Sequence, residues 1–146
     1  MIKRQSTRRR HLVEALRSGE YTQVGGKLEG PSEGFDDEGN VNYGPVGNCC
    51  LGVACRVAMK DGLVLDTVVH VDGNTRFSVP DTDNGYNTGS SSSLFPAVME
   101  WYGFDTETGA YGEDGDSLIN DNDECGFTFE QIADIIESEP EGLFEA

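Results

Sequence analysis

A chain of 146 residues, 36% of them hydrophobic and 19 of them glycine, is long enough to bury one core of its own but rich in loops. Its formal net charge of −17, from 27 acidic and 10 basic residues, makes most of its surface repel nucleic acid and anionic membrane. No run approaches the ~18 apolar residues that a membrane span requires.

The charge is uneven, with six of the ten basic side chains and a single acid in residues 1–17. The basic segment 1–10, MIKRQSTRRR, leads into an amphipathic stretch and not into an apolar signal core. The expectation is a soluble, cytoplasmic protein of one domain spanning 1–146, with free thiols and no cofactor. Residues 6–18 predict a helix capped by Ser6 or Thr7, with Leu12, Val13, Ala15 and Leu16 as its apolar stripe and Gly19 at its end. Arg8, Arg9 and Arg10 in its first turn oppose the helix dipole, which suggests another use for them. They would pair with the protein's own acids, or meet an anionic partner such as nucleic acid or a phosphate-bearing ligand.

Residues 21–30 predict a short strand and turn, and 31–48 a polar, glycine-rich loop. A second helix follows at 49–60. The β-branched run 63–71 and the segment 76–79 predict a hairpin about Asp72-Gly73, and 80–93 a long loop. A third helix at 94–102 has Pro96 in its first turn and Gly103 at its end. An acidic loop covers 103–126, with one helical turn at SLIND. The last helix is announced by the capping box of Thr128 and Gln131, the Phe127/Ile132 staple and the spacing of Phe129, Ile132, Ala133 and Ile136. The fold class is α+β, about four helices around a small antiparallel sheet, with the helix at 49–60 buried at the centre.

Three of the four cysteines fall in GNCCLGVAC. Apolar residues cover most of that helix's circumference, leaving Gly52, Arg56, Met59 and Lys60 for solvent, with Gly52 also able to admit another element closely, so packing is the default role of its thiols. Cys50 and Cys55 diverge on a helix, and His11, His70 and Cys125 are scattered, which disfavours a zinc set. A nucleophile remains open: Cys49 or Cys50 at a helix N-terminus would have a lowered pKa and N–H groups for an oxyanion, with His70 as base. The same terminus, at Gly47 and Asn48, together with Arg8, Arg9 and Arg10, would suit an anion. The acidic stretches 81–85 and 114–126 do not fit the EF-hand spacing, although Asp114, Asp116, Asp121 and Asp123 form an alternative cation set.

VEALRSGEYTQVGGKL (13–28), CCLGVAC (49–55) and SLFPAVMEWYGFD…SLINDNDECGFTFEQIADIIE (93–137) occur in this order. Together they resemble a family of small hypothetical proteins encoded by tailed phages and by bacterial, often actinobacterial, genomes. The acidic loops and the basic start depart from that pattern. The resemblance implies a viral or mobile-element origin but no reaction, and with the acidic, lysine-poor composition it suggests a halophilic host. The leading expectation is an accessory protein that binds a host or viral protein or an anionic small ligand. Neither membrane nor nucleic acid is expected as partner, except for nucleic acid at the basic N-terminal helix. The alternatives are a hydrolase using Cys49 or Cys50 with His70, and a virion structural component.

Overall fold

The computed structural model describes residues 3–80 and 89–145. Helix α1 (Lys3–Arg17) starts ahead of the predicted Ser6/Thr7 cap. Lys3, Arg4 and Gln5 are good helix formers, and Gln5 is anchored through Nε2 to the Glu100 carbonyl at 3.0 Å. Gly19 follows with φ 79°, as a helix end requires.

The segment expected to be a loop is instead a hairpin. β1 (Glu29–Phe35) and β2 (Val41–Asn48) pair antiparallel from Glu29 opposite Asn48 to Phe35 opposite Val41, with a bulge between Pro31 and Glu33. Glycine, proline and acids have low strand preference, so pairing, not propensity, sets this conformation. The turn is organised by Asp36, whose Oδ1 accepts the N–H groups of Glu38 at 2.9 Å and Asn40 at 2.8 Å.

Helix α2 (Cys50–Lys60) is the central element, with Cys50 to Cys55, Val57 and Ala58 buried. It packs against α1 and against two later helices, at 96–102 and 118–123. Gly52 is where another part of the chain crosses the helix closely: a Cβ there would lie 1.6 Å from the Leu28 carbonyl oxygen. Glu29 ties this crossing together. It takes a two-pronged bond from Arg56 (Nε 2.7 Å, Nη2 2.6 Å), with Asn48 Nδ2 at 3.1 Å and Thr75 Oγ1 at 3.0 Å.

β3 (Asp66–Val69), β4 (Thr75–Ser78) and β5 (Gly89–Ser90) form an antiparallel sheet in that order. Gly73, at φ 86°, makes the expected turn of its hairpin. Helix α3 (Pro96–Tyr102) begins on Pro96 and ends at Gly103 with φ 86°. The buried Tyr102 hydroxyl donates to the Ala54 carbonyl of α2 at 2.7 Å. A short hairpin of β6 (Ala110–Tyr111) and β7 (Asp116–Ser117) leads into α4 (Leu118–Asp123), capped by Ser117. Helix α5 (Phe129–Ser138) has the predicted capping box, with Thr128 N–H on Gln131 Oε1 at 2.9 Å and Gln131 N–H on Thr128 Oγ1 at 3.2 Å.

The α+β class stands. Among the described residues there are five helices and three small antiparallel sheets, where about four helices and one sheet were expected.

Candidate functional site

The cysteine cluster is core. Cys49 and Cys50 are each 1% exposed and Cys55 is fully buried. The N–H groups of Leu51 and Gly52 do favour a Cys49 thiolate, yet burial prevails and pushes this thiol up to about 11. Burial moves Cys50 and Cys55 upward as well. The first turn of α2 is also plugged from outside, because Asn122 Oδ1 accepts the Cys50 N–H at 3.2 Å. The Cys50 thiol points to the Leu118 carbonyl at 3.5 Å. His70 lies in the exposed β3–β4 turn, its N–H on the Asn74 carbonyl at 2.9 Å, and no hydrogen bond joins it to either thiol. The expected pairing of Cys49 or Cys50 with His70 is therefore not assembled.

The expected anion cradle is not assembled either. Gln5, Arg8 and Arg9 bind three successive carbonyls at the end of α3: Glu100 at 3.0 Å, Trp101 at 3.0 Å and Tyr102 at 2.6 Å. The negative end of the α3 dipole accounts for cations there. Arg9 also reaches Glu139 at 2.7 Å and lies 3.6 Å over the Phe144 ring, which holds down the C-terminal segment. Arg10 is exposed and approaches Glu14 at 3.9 Å. Arg17 pairs with Asp134 at 2.6 Å and Glu137 at 2.9 Å.

Gly47 and Asn48 face a different neighbourhood. The Asn48 N–H donates to the Thr22 carbonyl at 2.7 Å, and its side chain to the Leu28 carbonyl at 3.1 Å. A Cβ on Gly47 would meet the Thr22 oxygen at 2.5 Å. The arginines and this segment thus serve two separate packing tasks.

In the acidic region, Asp114 and Asp116 are exposed and Asp121 is buried, accepting the Tyr111 hydroxyl. Burial moves the Asp121 carboxyl upward. Asp123 accepts the Asn122 amide at 2.8 Å. Among the described residues, no three of His, Cys, Asp or Glu converge as a metal-holding group. The other acidic stretch, 81–85, lies outside the described residues.

Among the described residues, two surfaces stand out. On the β1–β2 hairpin, Phe35 is 76% exposed, Tyr43 66%, Val46 62% and Val41 46%. Phe35 stands opposite Val41 and Glu33 opposite Tyr43, so the four share one face. Exposed Val64, Val68, Val69 and Val71 line β3 and its flanks. The signal for the hairpin was those apolar residues interrupting a polar stretch.

The second surface is an open groove of about 570 Å³ between α1 and α3. Arg4, Thr7, Arg8 and His11 form one wall at helical spacing, and Trp101 and Asp61 stand opposite. The Arg8 guanidinium carbon lies over Trp101, 3.4 Å from the ring centroid, and His11 Nδ1 meets Asp61 Oδ2 at 2.8 Å.

A family model described as a domain of unknown function (DUF8296) matches residues 4–140. No curated protein and no solved structure matches the chain. None of the described helices is long and apolar enough to cross a membrane.

Proposed function

We propose that this chain, which belongs to the DUF8296 family, is a small accessory protein that works by binding a basic protein partner through its β1–β2 hairpin, and not by catalysis. A viral or mobile-element origin rests on the three sequence blocks described above. A halophilic host fits the acidic surface, which holds three lysines in 146 residues.

The observation that carries the reading is the exposed face of Phe35, Val41 and Tyr43 on the two strands joined by the turn that Asp36 organises. Exposed aromatic and β-branched side chains on one face are unusual unless something covers them. Asp36, Asp37 and Glu38 cap its tip, while Glu33 on the face meets Lys27 at 3.4 Å, so the complementary surface is apolar with a basic rim at the tip. A second copy would bring the same acids to the same place and is repelled. The buried thiols, with pKa values raised, are poorly suited to the hydrolase alternative.

The test places a photo-crosslinking residue at Tyr43, and separately at Glu130 on α5, in cells of the native source. One adduct is expected from position 43, mapped to a Lys/Arg-rich segment, absent from position 130, and lost when Asp37→Lys and Glu38→Lys are combined. Equal adducts from both positions, or none from position 43, would overturn the reading.

A further inference from the structure

The geometry points to the groove between α1 and α3 as a binding site for a small ligand that carries a phosphate on a planar ring, of the nucleoside monophosphate class. This inference uses none of the hairpin residues and stands apart from the protein-binding reading.

The charge is the first argument. In a chain of net charge −17, one helix face brings Arg4, Arg8 and His11 to a single groove. The acid in its lining, Asp61, is already engaged by His11 at 2.8 Å. A cationic groove in an acidic surface concentrates small anions where the rest of the molecule repels them. Guanidinium groups match phosphate oxygens in pairs of hydrogen bonds.

Arg4 is the second argument. Most arginines of this protein are committed: Arg8 and Arg9 to α3 carbonyls, Arg17 to Asp134 and Glu137, Arg56 to Glu29. Arg4 is exposed and has no partner among the described residues, although 26 acids lie beyond residue 17. It stands one helical turn before Arg8 on the groove wall, where the two can share one phosphate.

The third argument is the stack. Arg8 is fixed twice, by Nη1 on the Trp101 carbonyl at 3.0 Å and by its guanidinium 3.4 Å over the indole. A guanidinium held over an aromatic ring is a preformed platform for a further planar group. The groove's 570 Å³ falls in the range of small-molecule sites. The acidic surface around it limits the ligand's size, since a longer nucleic acid would leave the groove and run onto that surface.

Trp101 is the chain's single tryptophan, so its fluorescence reports on the groove directly. The full chain is titrated with AMP and UMP, and with adenosine and inorganic phosphate as separate arms, each checked by calorimetry. Saturable quenching is expected with the monophosphates, and binding weaker by about tenfold or more with adenosine or phosphate alone, because each lacks one anchor. Arg4→Glu is expected to weaken monophosphate binding about tenfold or more without moving the thermal midpoint. Asp37→Lys with Glu38→Lys leaves the titration unchanged, so failure here is separable from failure of the hairpin reading. Absence of saturable binding, binding by adenosine or phosphate alone as tight as by AMP, or an Arg4→Glu variant that binds as wild type would each overturn the inference.

Discussion

Asn122 reaches from α4 into the first turn of α2, where its Oδ1 accepts the Cys50 N–H at 3.2 Å. The same oxygen accepts Gln23 Nε2 at 2.9 Å, while Nδ2 donates to the Val24 carbonyl at 2.8 Å and to Asp123 at 2.8 Å. One buried amide thus joins the stretches 13–28, 49–55 and 93–137 on which the sequence resemblance rests. The first turn of α2 therefore has no vacancy for an anion. Asn122→Ala leaves buried backbone groups unpaired and is expected to lower stability by about 2–3 kcal/mol, read from urea unfolding. A wild-type midpoint would show that the node is not structural.

Gly52 offers a test in which two effects oppose. Helix propensity alone makes Gly→Ala stabilising by about 1 kcal/mol in a helix interior. The Leu28 carbonyl oxygen lies 1.6 Å from the position of an added Cβ, which no side-chain rotation relieves. Gly52→Ala is therefore expected to destabilise by about 3 kcal/mol or more. A gain in stability would show that Leu28 can withdraw freely.

The helices were legible because their signals are local. Thr128 and Gln131 cap within their own first turn, Pro96 and Gly103 bracket α3, and α2 is apolar around most of its circumference. The β1–β2 hairpin was not legible because EGPSEGF and VNYGPVGN lack an alternating pattern, and Glu29 acts through Arg56, Asn48 and Thr75 from three other elements. The same holds for the arginines. The sequence put them in the first turn of a helix, but α1 begins earlier, at Lys3, and α3, which explains Arg8 and Arg9, lies more than 90 residues along the chain. The groove went unread for that reason too, since Trp101 and Asp61 reach Arg4 and Arg8 only through the packing of three helices.

Arg9 should behave as the clamp of the C-terminal segment. Arg9→Lys keeps the charge but loses the planar contact with Phe144 and the fork shared between Tyr102 and Glu139. We expect a loss of about 2 kcal/mol and faster proteolysis beyond Ser138 than in the wild type. Unchanged cleavage there would mean that Phe104 and Leu143 hold the segment without it.

Two carboxylates should give opposite pH dependences. Burial by itself would raise Glu29, but Arg56, Asn48 and Thr75 outweigh it and hold this carboxyl below the usual range. Its stabilising effect is present above the ordinary carboxylate value and is lost as pH falls through the folded one. Glu29→Gln is expected to cost about 2 kcal/mol at pH 7 and to flatten the acid limb of the stability curve. Asp121 is raised by burial, which the Tyr111 hydroxyl only partly offsets. The folded state binds its proton more readily, so this group favours folding increasingly as pH falls through the folded value. Asp121→Asn, which can still accept from Tyr111, should be neutral or stabilising at pH 7 and lose that advantage in acid. Matching slopes for the two variants would contradict the assignment.

The thiols provide the most direct check on the burial of Cys49 and Cys50. A helix N-terminus lowers a thiol's pKa only where the thiolate is also solvated, and α2 meets the first condition without the second. With Cys49 pushed up to about 11, Cys50 and Cys55 shifted the same way and all three buried, little thiolate forms at pH 8 and alkylating agents have no access. Cys125 is exposed, its sulfur 3.7 Å from the Asn120 amide. Iodoacetamide at pH 8 should therefore modify one thiol of the native chain, mapped to Cys125 by peptide mass, and all four in denaturant. Rapid native labelling of Cys49 or Cys50 would show that the first turn of α2 opens in solution, and a hydrolytic reading would then have its missing access.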